Sequence, residues 1–331
     1  MISKELSDKI KIGSLICAIM VVYRHSLNYY AFYGVANVAG WNAYIQGGIM
    51  SLTEIAVPFF FLISGFFFLK VSYNTKQAYV KMLKKKSFTL LFPFLIWNIV
   101  GGMVLWGYDR SLLGNTYFDV LKKIFLSEYY GPLWYVRDII LFMMLVPLYE
   151  WALRKNMILL FFVALITFVT WIPVDCSLMS SEGIFFFLLG GILWQYQYVI
   201  ELKTNKCFLF VLFIIWVAIS FNVPLFQYSY LHKINTLIGL WVAWQLFDYL
   251  CKSSKAFIYS IAEYTFLIYT LHFYILKTMK VILGKVFFKN DMVSLLAFLL
   301  LPLVTATIII SIGKLMQRYA PKIYSVATGN R

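Results

Sequence analysis

The sequence predicts an all-α, polytopic membrane helical bundle of about ten transmembrane helices with both termini cytoplasmic, and three observations carry that reading. The 331 residues are 62% hydrophobic and 20% aromatic, with only 13% charged, a balance foreign to water-soluble globules. Apolar segments long enough to cross about 30 Å of hydrocarbon recur from end to end. The polar–apolar alternation of an outer-membrane barrel is absent. A single integral domain over 1–331 accounts for the chain, and the spans leave no room for a soluble domain.

Ten spans are expected, over 10–31, 51–71, 87–107, 133–151, 157–174, 181–198, 207–224, 231–250, 257–279 and 293–316. The first is too long for a cleavable signal peptide and no A-x-A-like site follows it, so it is expected to stay as a span. Basic residues cluster on one side. Lys4, Lys9 and Lys11, the run Lys76 to Lys86, Lys203, Lys206, Lys314, Arg318 and Lys322 fall on the side assigned to the cytoplasm, as do Lys70 and Arg331. The segment 27–50 has no Lys or Arg. This asymmetry orients the chain. The net charge of +15 is therefore read as topology, and nucleic acid is excluded as a partner. Cys17, Cys176, Cys207 and Cys251 are scattered, with no metal-ligand spacing, so neither a metal site nor a disulfide framework is expected. Three connections are long: an aromatic outer loop over 32–50, a basic cytoplasmic loop over 72–86, and a second outer loop over 108–132 with a helix-capable polar stretch from Asn115 to Ser127. No internal repeat of the kind common in transporters is visible.

Ionisable residues inside these spans are the candidates for function, because charge at membrane depth is costly and faces a protein interior or a water-filled cavity. In the first span, His25 comes about 15 residues after the cytoplasmic entry, roughly 22 Å up the helix. A neutral imidazole there can act as general base, or can simply bond a neighbouring helix. The second span places Glu54 near its outer end and Ser64-Gly65 deep toward the cytoplasm. Gly65 either packs against another backbone or admits a slender ligand. In the fourth span Trp134, Arg137 and Asp138 share one face; the ion pair is either a structural bridge or a guanidinium offered to a carbonyl or phosphate. Glu182 and His232 begin the sixth and eighth spans, and His272 lies in the outer half of the ninth. These residues fall at comparable depth, as a polar chamber open to the outer face would require. Lys84, Lys85 and Lys86 open the third span; they either anchor it among anionic lipids or dock the phosphates of a cytoplasmic anionic cofactor.

The strings VVYRHS, VPFFFLISGFFF, KKKSFTLLFPFLIW, GPLWYVRDIILFMMLVPLY, FFFLLGGILW and TFLIYTLHFYIL, in this order and spacing, resemble the acyltransferase-3 family of integral membrane acyltransferases. The resemblance spans nearly the whole chain. It implies an inner (cell) membrane protein with an acyl-CoA donor, commonly acetyl-CoA, inside. It also implies a hydroxyl of an envelope carbohydrate or lipid-linked glycan as the acceptor outside, and membrane lipids as the surroundings. His25 matches the family's first-helix histidine, the catalytic base; Arg137 matches a basic residue after the Trp of the fourth helix, and Lys85 and Lys86 match basic positions opening the third. One departure is Ser14, where the family commonly has arginine eleven residues before the histidine; Lys11 or Arg24 would replace its charge. The expected reaction has phosphates near Lys84–Lys86 and the pantetheine arm passing Ser64-Gly65. His25 deprotonates the acceptor hydroxyl, Glu54 or Asp138 orients His25, and Arg137 or His272 stabilises the oxyanion. Two rival readings use the same residues: a transporter or flippase of a glycan intermediate without covalent chemistry, and a membrane scaffold whose charges serve helix pairing.

Overall fold

The computed structural model describes residues 3–69, 75–155, 157–170, 179–222, 230–253 and 255–329. Lys70, Cys176, Arg331 and the far ends of the spans expected over 157–174 and 207–224 lie outside the described residues. The chain is all-helical, 86% helix, with no strand among the described residues. In order the helices are α1 (Lys4–Arg24), α2 (Tyr29–Tyr33), α3 (Trp41–Leu52), α4 (Ala56–Phe68), α5 (Lys76–Lys86), α6 (Phe92–Tyr108), α7 (Tyr117–Phe125), α8 (Trp134–Met144) and α9 (Val146–Lys155). They continue as α10 (Met157–Val169), α11 (Ser181–Gln195), α12 (Gln197–Glu201), α13 (Lys206–Phe221), α14 (Tyr230–Ser253), α15 (Lys255–Ala262), α16 (Thr265–Val286), α17 (Asp291–Tyr319) and α18 (Pro321–Thr328).

Among the described residues four helices are long and apolar enough to cross a membrane: Trp41–Phe68, Lys76–Tyr108, Thr265–Val286 and Asp291–Tyr319. A fifth is added if Gly131–Met144 and Val146–Ala152, bent by 62°, form one span. Ile158–Val169, Ser181–Gln195 and Lys206–Phe221 are apolar but shorter. α1 keeps Asp8, Lys9 and Lys11 within its length, which shortens its uninterrupted apolar stretch.

Three segments differ from the sequence expectation, each for a local reason. Residues 41–50 are helical where a loop was expected, and α3 continues through a 3-10 turn (Thr53–Ile55) into α4. Gly40, at φ 109°, makes the turn that precedes α3. Gly48, within the expected loop, serves packing instead, since a side chain there would collide with the Phe221 ring. Residues 76–86 are also helical: the Thr75 hydroxyl accepts from Ala78 N at 3.2 Å and caps α5. The Lys84–Lys86 run therefore sits on a helix that passes through a π-helical turn (Ser87–Leu91) into α6. The fourth span bends between Met144 and Val146, just before Pro147, whose ring and missing N–H disfavour continuation of the ladder.

Two compact units emerge. The first comprises Met1–Phe60 with Leu202–Lys314. Here α1 packs on α14 and α16, and Gly13 lets the Phe59 and Phe247 rings approach its backbone. Lys9, buried, pairs with Asp248 at 2.9 Å and lies 4.1 Å from the Trp244 ring centre. Asn28, Asn42, Gln46 and Ser294 are all buried and knit the 28–46 segment to α17. The second unit comprises Phe61–Glu201 with Leu315–Arg331. Within it the Trp97 indole donates to the Ala327 carbonyl at 3.0 Å, docking α18 on α6. α7 is closed by a capping box between Thr116 and Asp119. Hydrogen bonds from the Thr116 hydroxyl and backbone hold the Asp119 carboxyl below its ordinary value.

α4 and α11 cross through two glycines. A side chain at Gly65 would strike the Phe187 carbonyl, and one at Gly190 would strike the Leu62 carbonyl and the Phe66 nitrogen at 2.8 Å. Backbone cannot yield as a flexible side chain can. Gly190→Val is expected to cost at least about 1–3 kcal/mol, read as a lower thermal midpoint in detergent. Gly107→Ala is the control, since a side chain there meets nothing within 4 Å.

Candidate active site

The first unit gathers the histidines. α1 ends at Arg24, and His25 caps it in helical backbone (φ −92°, ψ 0°) with its N–H on the Val22 carbonyl at 3.1 Å. The carbonyls that follow a helix end lack intrahelical partners. Lys280 of α16 supplies them: its ammonium donates to His25 O at 2.5 Å and to Leu27 O at 2.8 Å. This fixes the backbone from which the His25 ring projects. That ring lies 5.1 Å from the His272 ring, tilted by 39°, and meets Phe273 edge-on at 5.5 Å.

His272 is fully buried, and its Nδ1 lies 2.8 Å from Tyr269 O and 3.1 Å from Ile268 O. Carbonyls only accept, so the proton of the neutral ring belongs on Nδ1. Nε2 then carries a lone pair, and it has no hydrogen-bond partner among the described residues. His272 is thus built to accept a hydrogen bond. In this tautomer Nε2 offers no proton to an oxyanion.

Glu54, expected as a partner of His25, is engaged elsewhere. Arg24 Nη1 donates to its Oε1 at 2.6 Å, and His232 Nδ1 lies 2.7 Å from its Oε2. Arg24 therefore spends its charge on Glu54. Lys11 lies 6.0 Å from the Tyr259 ring centre, while Lys9 makes the buried ion pair.

The second unit holds the other candidates. Arg137 and Asp138 form a fork within α8: Nε and Nη2 donate to Asp138 Oδ1 at 2.9 and 2.8 Å. Arg137 Nη1 also reaches Leu126 O at 3.3 Å. Asp138 Oδ2 accepts from Ser180 N at 2.9 Å, and the Ser180 hydroxyl in turn caps α11, which carries buried Glu182 in its first turn. Ser64 bonds the Tyr135 hydroxyl at 3.0 Å. Gly65 is filled by the α11 backbone, so the missing side chain there serves helix packing.

On α5, Lys81, Lys85 and Lys86 with Phe67, Phe68 and Met82 line an open cavity of about 380 Å³. The Lys86 ammonium lies 4.5 Å from the Phe68 ring centre. Lys84 is exposed and lies off the cavity wall. A cationic rim over aromatic walls can hold an anionic group.

A family model described as an acyltransferase domain, acyltransferase-3, matches residues 15–313. The chain belongs to this family. Comparisons with curated proteins and with solved structures return no match. This acyltransferase-3 chain carries His25, Glu54, Arg137, Asp138, His272 and the α5 lysines inside the matched residues, with Lys11 outside them. Family and helices together make it a membrane acyltransferase.

Sequence reasoning missed Lys280. A signal was available: Lys280 stands eight residues after His272, about two turns further along the same helix. Lys280→Met is expected to lower kcat by about tenfold to a hundredfold through misplacement of His25. KM should stay near wild type and Lys280→Arg should recover part of the rate in steady-state assays.

Proposed function

We propose that this acyltransferase moves an acyl group, most simply acetyl, from cytoplasmic acyl-CoA to a hydroxyl of an envelope carbohydrate at the outer face of the inner membrane. The observation that carries the reading is the His25–His272 ring pair, 5.1 Å apart, in a chain of the acyltransferase-3 family. The proposal keeps ten spans and cytoplasmic termini, from the basic asymmetry of the sequence. With Lys84–Lys86 on the cytoplasmic side, the α5 cavity takes the phosphates of the donor, and Phe67 and Phe68 take apolar parts of it.

In the chemical step the His25 imidazole accepts the proton of the acceptor hydroxyl as its oxygen attacks the thioester carbonyl. The tetrahedral intermediate collapses with cleavage of the C–S bond, and the CoA sulfur leaves with the proton that His25 returns. His272 Nε2 accepts a hydrogen bond from the imidazolium that His25 becomes, steadying it between the two transfers. Arg137 enters on the family correspondence and on its guanidinium chemistry, as a stabiliser of developing negative charge.

The donor part is tested by Lys85→Gln and Lys86→Gln. Each is expected to raise the KM for acyl-CoA by about tenfold with kcat little changed, since one ammonium–phosphate interaction contributes roughly 1.4 kcal/mol to binding. An unchanged KM in the double variant would remove the α5 cavity from the reaction.

A further inference from the structure

α7 presents its apolar residues in the wrong direction for a helix in water. Tyr117, Phe118, Leu121 and Phe125 are 93%, 75%, 64% and 46% exposed. At 100° per residue these four fall within one arc of about 100°. The side turned to the protein carries half-buried Val120 and Ile124 together with Asp119 and Lys123, both of which are already engaged. Asp119 closes the capping box, and Lys123 donates to Leu112 O at 2.7 Å. Lys122, at the edge of the apolar arc, is left exposed. A surface helix in water puts its polar residues outward. Here the outward arc is aromatic and aliphatic with a single cation at its rim.

The location of α7 names its neighbour. It follows the end of the Lys76–Tyr108 span after a short 3-10 turn (Arg110–Leu113). Trp106 of that span is exposed and has the Arg110 guanidinium 4.9 Å from its ring centre. Aromatic rings with adjacent cations mark the level of lipid headgroups. Contacts on either side of α7 hold it there, because Gly101 of α6 makes room for the Tyr129 carbonyl and the Tyr129 hydroxyl donates to Leu113 O at 2.5 Å.

We infer that α7 is an interfacial anchor, lying flat in the membrane surface with its Tyr117–Phe125 arc among the upper acyl chains and Lys122 on an anionic lipid headgroup. It fixes the end of the Lys76–Tyr108 span and the 108–132 connection at a set depth. Under the proposed topology this is the outer leaflet.

The test uses the full-length protein in liposomes of phosphatidylcholine, with and without phosphatidylglycerol. A spin label is placed by Phe118→Cys, Leu121→Cys or Asn115→Cys in a cysteine-free background. The expected result is oxygen accessibility several-fold above that of a water-soluble nickel complex at 118 and 121, and the reverse at 115. The label at 121 should move deeper when phosphatidylglycerol is present, and Lys122→Gln should abolish that change. Nickel access at 118 equal to that at 115 would overturn the anchor. Shielding of 118 from both reagents would overturn it too, by showing that protein covers the arc. Equal depth in the two lipid mixtures would overturn the headgroup contact. Should the cysteine-free chain fail to fold, a photo-reactive leucine at 121 in the natural-cysteine chain decides the same question: cross-links to lipid support the anchor, and cross-links to protein overturn it.

Discussion

Replacing His25 with alanine is expected to lower acyl transfer by about a hundred- to ten-thousand-fold, the usual contribution of a positioned general base, with the fold intact. The structure makes this variant unusually clean. Lys280 holds His25 and Leu27 through their backbone carbonyls, and those bonds survive loss of the imidazole. The ring itself touches His272 and Phe273 by ring contact. The check is kcat in liposomes together with the thermal midpoint of the variant. A rate near wild type would remove His25 from the chemistry; a lost rate with a collapsed midpoint would make its role structural. His272→Gln belongs beside it. Glutamine retains an accepting oxygen but cannot reproduce the imidazole geometry, so an intermediate rate is expected.

The largest effect on stability is expected from Asp138→Ala. Arg137 and Asp138 are buried, Asp138 fully, and the carboxylate serves both the Arg137 fork and the Ser180 N–H that begins α11. Removing one partner of a buried ion pair costs about 3–5 kcal/mol, because the remaining charge keeps its desolvation penalty. Asp138→Asn retains an acceptor for Ser180 and should lose less. Neutralising both residues, as Arg137→Met with Asp138→Leu, should recover much of the loss, since an apolar pair of similar bulk removes the stranded charge. Thermal unfolding of wild type, Arg137→Met, Asp138→Leu and the double variant completes the cycle. If the double variant were as unstable as Asp138→Ala, the pair would matter through its bonds to Ser180 N and Leu126 O rather than through the stranded charge. The same series separates fold from catalysis: activity lost in Arg137→Met beyond its stability cost would assign the guanidinium to the reaction.

What the sequence made legible follows from what its residues must do locally. Apolar length predicted a helical membrane chain, and the Thr116–Asp119 capping box lies in the Asn115–Ser127 stretch expected to form a helix. The histidines were matched by depth within their expected spans, and the structure brings His25 and His272 together. Which residues a given helix face meets was not legible, because rotation and tilt are set by neighbours. So Glu54 joins Arg24 and His232, and Gly65 faces the α11 backbone. The 32–50 stretch also misled: it reads as a loop until Phe221 is seen against Gly48. Lys280 was hidden for another reason. A lysine at a helix end serves equally as an interfacial anchor, and only the α1 terminus opposite it reveals its hydrogen bonds.

The most direct measurement follows label from donor to acceptor. Purified wild-type protein in liposomes would receive acyl-labelled acetyl-CoA on the side of Lys84–Lys86 and extracted envelope glycan on the other, with free CoA and labelled glycan read together. The account predicts equal amounts of both products, and neither product from His25→Ala. Glycan that crosses the bilayer unlabelled, with no CoA released from any of several acyl-CoAs, would contradict it and leave transport as the function.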